Sequence, residues 1–513
     1  MFTHLKRLGT ETAVYGISTI LGRFLNFLLI PFYTNVFAAG EYGIVAYVYS
    51  LIAFVTVVYS YGLESAYFKY SSTLEIGSPK QNFSTPFFSL LGSSLLFSIF
   101  ISAFAVPLGS LINLQEQHSS IILYAGWILA LDAIAIIPFA VLRMEHKAKS
   151  FATIKFLNIL INVVMNLVLL LQFKMGIEGV FISGLVASVA TLVMLLPTIA
   201  KHLIPSFHGG LWKALMKFGL PYIPAGLAAM AVQVIDRPIL RALTDDATVG
   251  IYQANYRLGI FMMLIVSMYD YAWRPFYFSV AKEPNAKEIF ARVLTYLLVF
   301  MSVIFLILTF FIGDIAKISL FGRHLIGPAY WSGLDIVPVV LAGYVFLGIH
   351  TNLSAGIYIQ KKTQYAAPVT FVGAAVNVVA NYLLIPSMGM MGAAWATFFA
   401  YLFMAATMYV VVRRVYPVPY EIKRLVKILI AVAVVLILYY LPPVEMMAYF
   451  SASVRFLQKL VLLLLFLGLM YWMKFFNAGE LAKVKQLLSR GKKEASPVSG
   501  DEIPRDEEGM VER

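Results

Sequence analysis

The chain has 513 residues, of which 60% are hydrophobic and only 13% are charged, and its formal net charge is +13. This composition excludes a water-soluble globular protein and is typical of a membrane protein with many spans. The basic residues are spread among short connections, so the positive charge indicates topology and contact with membrane lipids, and it does not indicate nucleic-acid binding.

Hydrophobic segments long enough to cross a membrane occur along almost the whole chain. A helix needs about 20 apolar residues to cross roughly 30 Å of hydrocarbon. Such windows lie at 12–36, 42–63, 84–107, 119–142, 152–172, 177–200, 214–237, 249–273, 292–313, 331–358, 365–385, 389–412, 424–441 and 456–476. The sequence therefore predicts an all-α polytopic membrane protein with about fourteen transmembrane helices.

Lysine and arginine are concentrated in alternate connections. Lys6 and Arg7 precede the first window, and Arg143, Lys147 and Lys149 lie in another connection of the same set. Because short connections rich in these residues stay in the cytoplasm, both termini are predicted to be cytoplasmic.

Several motifs of the first half recur in order in the second half. NVVMN at 162–166 returns as NVVAN at 377–381, and GIVAY at 43–47 matches GIY at 250–252. The offset of roughly 205 to 215 residues predicts one six-helix unit written twice, with both copies parallel across the membrane. The predicted domains are an N-terminal lobe (1–205), a C-terminal lobe (206–415), two further spans (416–477) and a cytoplasmic tail (478–513).

Cationic and polar residues inside the apolar windows are candidates for a substrate cavity. Arg23 and Asn26 share one face of the first span, where a guanidinium needs a wet cavity or an anionic partner such as a phosphate. Lys155 lies near the cytoplasmic entrance of the fifth span. The alternative for Arg23 is an internal ion pair or a bond to helix carbonyl groups.

A second polar cluster is predicted where the seventh and eighth spans meet. Asp236, Arg237 and Arg257 are candidates to contact a translocated headgroup or to couple to a cation. Asp236 with Arg237 also fits a simple ion pair at the outer rim of the membrane.

Two groups are candidates for coupling to H⁺ or Na⁺. Asp132 lies inside the fourth span, and protonation or ion binding removes the cost of burying its charge. His350 in the tenth span is the second candidate. The alternatives are an aspartate that locks two helices together and a histidine that only packs.

Charged pairs and prolines at span ends are candidates for gates and hinges. Glu64 with Lys69 and Asp270 with Arg274 lie at the cytoplasmic ends of the second and eighth spans. We expect two hinge prolines in the seventh span, at Pro221 and Pro224.

The common catalytic and nucleotide-binding motifs are missing from the sequence. No G-x-x-x-x-G-K-[ST], HExxH or GxSxG pattern occurs, cysteine is absent, and no long connection has room for a catalytic domain. We therefore expect a transporter, not an enzyme, without a cofactor or a structural metal.

The order of several motifs resembles the bacterial polysaccharide transporter family. They are AVYGISTILGR at 13–23, PFYT at 31–34, EYG at 41–43, YGLESA at 61–66 and NVVANYLLIP at 377–386. This family of lipid-linked oligosaccharide flippases, which includes O-antigen flippases, belongs to the multidrug/oligosaccharidyl-lipid/polysaccharide exporter superfamily. The resemblance implies a MATE-like fold in the cytoplasmic (inner) membrane.

The resemblance also implies a function. The protein would move an undecaprenyl-diphosphate-linked oligosaccharide to the outer leaflet, for lipopolysaccharide O-antigen, capsule or exopolysaccharide, beside a polysaccharide polymerase or ligase. A cation-coupled multidrug exporter of the same superfamily and a multi-span glycan polymerase or glycosyltransferase stay open as alternatives.

Overall fold

Helices dominate the structure, a computed structural model that describes residues 22, 25, 27–320, 322–441, 451–476 and 479. In this part of the chain eleven helical segments are long and apolar enough to cross a membrane, and one bent pair of helices makes twelve. The end of the first predicted span forms the apolar helix Phe27–Val36. The helix Ile422–Tyr440 covers the thirteenth predicted span. The prediction of an all-α polytopic membrane protein with about fourteen spans is confirmed.

The helices of the first half follow the predicted windows closely. They are α1 (Phe27–Val36), α2 (Ala39–Ser60), α3 (Leu63–Thr73), α4 (Pro79–Ala103), α5 (Ala105–Leu111), α6 (Ser119–Met144), α7 (Ala148–Leu167) and α8 (Gly176–His202). The start of α4 shows why the chain turns into a helix there: Ser78 and Gln81 form a reciprocal capping box, with N–H···O distances of 3.3 and 2.9 Å. Pro79 occupies the first turn, where no N–H is needed.

The second half repeats this pattern with more interruptions. Its helices are α9 (Gly209–Gly219), α10 (Tyr222–Val234), α11 (Asp236–Leu243), α12 (Asp246–Tyr256), α13 (Ile260–Val280), α14 (Ala286–Lys317), α15 (Val337–Ile359), α16 (Ala366–Met388), α17 (Met390–Val415), α18 (Ile422–Tyr440) and α19 (Ala452–Trp472). A short antiparallel hairpin of β1 (Ser319–Leu320) and β2 (Arg323–His324) lies between α14 and α15, with Ser319 opposite His324. No window predicted this hairpin.

Two compact units divide the chain, residues 1–421 and residues 422–513. Within the second unit, the Arg424 guanidinium lies 4.3 Å from the centroid of the Phe475 ring. Lys427 there donates a hydrogen bond to the Lys474 carbonyl at 3.1 Å. The predicted boundary between two lobes near residue 205 stays a prediction.

Helices α2 and α12 cross at Gly43 and Gly250, which occupy equivalent positions in the repeated sequence motifs. A Cβ on Gly43 would lie 1.7 Å from the Asp246 carbonyl oxygen, and a Cβ on Gly250 would lie 1.9 Å from the Ala39 carbonyl oxygen. Only glycine permits backbones to approach so closely. The crossing joins the first half of the chain to the second at the end that the lysine and arginine pattern assigns to the outside.

Further contacts between the two halves lie at the same end. The Tyr330 hydroxyl donates to the Phe37 carbonyl at 2.9 Å, and the Asn35 amide donates to the His324 carbonyl at 2.8 Å. Arg241 donates to the Ile112 carbonyl at 2.6 Å and stacks over the ring of Tyr47. This end of the first unit is therefore tightly closed.

Candidate functional site

A cavity of about 1190 Å³ lies inside the first unit, between helices of both halves of the chain. Its wall includes parts of α2, α6, α7 and α8 from the first half and of α10, α13, α15 and α17 from the second. Six charged residues from the described part of the chain line it: Glu64, Asp132, Arg143, Lys155, Arg237 and Arg257. Four of these are cationic and two are anionic, so the charged lining favours an anionic ligand.

Arg257 lies on a single 3₁₀ turn, Arg257–Gly259, between α12 and α13. It shares the cavity wall with Tyr33, Tyr42 and Tyr49. Its side chain forms no ion pair or hydrogen bond with another residue of the described part of the chain. A partly buried guanidinium in this position has its donors available for a phosphate.

Lys155 and Asp132 line the wall contributed by the first half. The Lys155 ammonium lies 4.2 Å from the centroid of the Phe139 ring and has no hydrogen bond or ion pair with the residues that the structure describes. Asp132 accepts a hydrogen bond of 2.7 Å from the Ser188 hydroxyl, which ties α6 to α8. Both side chains are exposed to the cavity, which is what a ligand site requires.

The cavity extends to an ion pair at the predicted cytoplasmic end. Glu64 of α3 pairs there with Arg143 at the end of α6, and the Arg143 guanidinium also lies 4.8 Å from the centroid of the Phe68 ring. Lys69, which the sequence placed with Glu64, instead lies 4.7 Å from the centroid of the Phe218 ring. From the sequence, Arg143 was used only to predict which side of the membrane its connection occupies. Its pairing with Glu64 was missed because the two residues are distant along the chain.

Asp236 and Arg237 form a buried pair, not a rim pair open to water. The two residues are 1% and 5% exposed, and Arg237 Nη1 lies 2.5 Å from Asp236 Oδ1. The Tyr252 hydroxyl donates to the other carboxylate oxygen of Asp236, and Arg237 Nε donates to Gln253 at 3.0 Å. The guanidinium stacks 4.2 Å from the centroid of the Tyr256 ring. These contacts use most of the hydrogen-bonding capacity of both groups.

The other sequence-predicted site residues lie outside the cavity lining or outside the described residues. His350, Asp270 and Arg274 do not line the cavity, and Arg274 Nη2 pairs with Asp270 at 2.7 Å, as the i, i+4 spacing predicted. Arg23 and Asn26 lie outside the described residues, as does the tail from 480 onward.

The chain bends between α9 and α10, next to one of the predicted hinge prolines. The two helices meet at 41°, and Pro221 lies in the break between them. Pro224 follows within the first turn of α10. A hinge at this position stays a prediction.

Three solved structures show the fold of the chain. The lipid II flippase MurJ in an inward closed conformation aligns with a TM-score of 0.70 at 16% identity, over 90% of this chain and 99% of that chain. An inward-facing multidrug resistance MATE transporter of the MOP superfamily aligns with a TM-score of 0.62 at 13% identity, over 76% and 94%. A mutant of the Vibrio cholerae MATE transporter VcmN aligns with a TM-score of 0.53 at 14% identity, over 80% and 98%. The predicted MATE-like fold is confirmed.

The sequence comparisons identify the family. No curated protein sequence matches the chain. A family model described as polysaccharide biosynthesis protein matches residues 8–280, which is more than half of the chain. The match contains α2, α7 and α12, three of the helices that line or close the cavity. The chain therefore belongs to the polysaccharide biosynthesis protein family and has the fold of the flippases and transporters of the MOP superfamily.

Proposed function

We propose that the protein flips an undecaprenyl-diphosphate-linked oligosaccharide from the inner to the outer leaflet of the cytoplasmic membrane. The observation that carries this proposal is the cavity with two cations, Arg257 and Lys155, that have no ionic partner among the described residues. A diphosphate supplies the matching negative charge, and an arginine fork binds it through paired hydrogen bonds. Arg23 and Asn26 are proposed from the sequence to extend this site.

The size of the cavity fits a polar headgroup. Pockets for drug-sized ligands enclose about 300–1,000 Å³, and this cavity of about 1190 Å³ is larger. A headgroup of several sugars fills such a space, while the polyprenyl chain stays among the lipid tails. The lipid II flippase that shares the fold acts on a lipid-linked substrate, which supports the same class of cargo here.

The geometry supports loading from the cytoplasm. The cavity reaches the Glu64–Arg143 pair at the predicted cytoplasmic end, whereas glycine contacts close the opposite end. Alternating access then requires the α2–α12 crossing to open while the other end closes. Glu64, Arg143 and the Asp270–Arg274 pair are the proposed gate on the cytoplasmic side. A polymerase or ligase at the outer leaflet would consume the flipped product.

Arg257→Ala is expected to weaken binding of the lipid-linked glycan about ten- to a hundredfold, because it removes a charge-assisted contact to the diphosphate. The measurement is the dissociation constant of undecaprenyl diphosphate for the purified protein in nanodiscs. Arg257→Lys should recover part of the loss. Arg292→Ala is the matched control, because Arg292 lies on an exposed part of α14 with Glu288 3.9 Å away.

Leaflet distribution in cells tests the proposal as a whole. Deletion of the gene should trap undecaprenyl-linked glycan on the inner leaflet of spheroplasts, as read with a membrane-impermeant sugar-modifying probe. Normal outer-leaflet glycan in a strain without other flippases would contradict the proposal. Resistance to cationic drugs on expression would then favour a multidrug exporter, which the MATE fold also permits.

Asp132→Asn is expected to uncouple transport from a proton or sodium gradient. Asp132 is a carboxylate of α6 that lines the cavity, where proton or Na⁺ binding would neutralise it. Transport by proteoliposomes should respond to an imposed ion gradient in the wild type and not in the variant. Equal responses of both proteins would remove Asp132 from coupling and leave His350 as the other proposed group.

A further inference from the structure

The cavity wall built by the first half of the chain carries polar atoms that the protein itself leaves unused. Asn158 donates both its amide hydrogens, to the Ala187 carbonyl at 3.1 Å and to the Thr191 hydroxyl at 2.8 Å, so its Oδ1 remains for a ligand. Asn162 is the reverse case: its Oδ1 accepts from Asn166 at 3.2 Å, and its Nδ2 has no partner in the described part of the chain. The wall therefore offers an acceptor and a donor on successive turns of α7.

Gly184 and Tyr49 lie beside this donor. A Cβ placed on Gly184 of α8 would lie 3.2 Å from the Tyr49 hydroxyl and 3.9 Å from Asn162 Nδ2. The Tyr49 hydroxyl has no hydrogen bond with the described residues, and its ring stacks on Phe181 with centroids 5.1 Å apart. A Cβ on Gly184 would also lie 3.2 Å from Ile128 Cδ1, so glycine at this position lets the Tyr49 hydroxyl stay close to α8 without crowding.

The wall contributed by the second half combines apolar and polar residues. Val232, Val266, Leu347 and Met404 line it beside Gln233, Gln253 and Tyr401, and the hydroxyl of Thr370 is bonded to the Ala366 carbonyl at 3.1 Å. The unused polar atoms grouped on α2 and α7 suit a ligand with many hydroxyl groups, because each hydroxyl both donates and accepts. The distance along α7 from Lys155 to Asn162 is about 10 Å, enough for a diphosphate and the first sugars attached to it.

We infer that Tyr49, Asn158 and Asn162, beside Gly184, form a subsite for the hydroxyl groups of the sugars next to the diphosphate, and that this subsite selects which glycan the protein carries. The inference rests on the proposed function. It assigns phosphate recognition to Arg257 and Lys155 and sugar recognition to the wall formed by α2, α7 and α8.

Two minimal variants test the subsite. Tyr49→Phe removes one hydroxyl and keeps the ring on Phe181, and Gly184→Ala places a methyl group against the Tyr49 hydroxyl. Thermal unfolding in detergent checks that both variants fold. The measurement compares dissociation constants in nanodiscs for undecaprenyl diphosphate and for the lipid-linked oligosaccharide extracted from a flippase-deficient host.

The wild type should bind the sugar-bearing lipid more tightly than undecaprenyl diphosphate. Each variant should reduce this preference about three- to tenfold, the value of one hydrogen bond, with unchanged affinity for undecaprenyl diphosphate. Thr370→Val, on the opposite wall, should keep the full preference.

The possible outcomes separate the inference from the proposed function. If the wild type binds both lipids equally, or if both variants keep the wild-type preference, the sugar subsite is wrong while diphosphate binding stands. If the wild type binds neither lipid, the proposed function fails, and the subsite fails with it.

Discussion

Arg237→Leu is expected to destabilise the folded protein by about 3–5 kcal/mol, the typical cost of leaving a buried charge unpaired. Asp236 is 1% exposed, and without Arg237 its carboxylate would keep only hydroxyl donors and a backbone N–H. Thermal unfolding in detergent measures the loss. Arg274→Gln is the exposed counterpart, and its loss should stay below about 1 kcal/mol.

The double variant Asp236→Asn/Arg237→Gln shows whether the loss of stability comes from the unpaired charge or from the changed shape of the side chain. It removes both charges, while the amide oxygen introduced in place of the carboxylate would still accept from the Tyr252 hydroxyl. The double variant should therefore recover most of the stability lost in the single variant. Equal instability of the single and double variants would contradict this account. If Arg237→Leu is fully stable yet transports nothing, Arg237 acts on the substrate, as the sequence had predicted.

Gly43→Val is expected to prevent the closed crossing of α2 and α12. A Cβ at this position would collide with the Asp246 carbonyl, and the overlap costs about 3 kcal/mol or more, a shift of more than a hundredfold between conformations. The chain lacks cysteine, so Gln233→Cys introduces one unique thiol at an exposed residue that lines the cavity. A membrane-impermeant maleimide added outside intact cells should label it in the Gly43→Val background and not in the parent.

A neighbouring glycine supplies the control for this experiment. Gly40 lies on the same helix, and a Cβ placed on it would have no atom within 4 Å. The thiol in the Gly40→Val background should therefore react with the maleimide to the same extent as in the parent. Increased labelling in both variants would indicate a general loosening of α2. Unchanged labelling in Gly43→Val, with normal thermal stability, would show that the crossing is not the outer closure.

The fold was largely predictable because the bilayer restricts which secondary structures a membrane-spanning segment can adopt. Long apolar windows must be helices in lipid, and almost every predicted window corresponds to a helix in the structure. The hairpin around Ser319 and the short helix Ala105–Leu111 escaped prediction because neither is long or periodic enough to leave a pattern.

The cavity was only partly predictable, since one residue type serves both packing and binding. Lys155 and Arg257 were candidates because a cation in an apolar window needs a reason to be there. Asn158 serves both purposes, since its amide hydrogens bond to α8 while its Oδ1 stays unused. Only the geometry shows which half of each amide remains unused.

The glycine crossing between α2 and α12 also bears on how such a chain arose. The contact is reciprocal: Gly43 approaches Asp246, and Gly250 approaches Ala39. The same interval along the chain separates Gly43 from Gly250 and Ala39 from Asp246. Reciprocal contacts of this kind are what a two-fold axis produces when two identical subunits meet. An ancestral homodimer of half-length chains would have needed one glycine to serve both sides of its interface. In the present chain neither glycine has room for a side chain, because each faces the backbone of the other half.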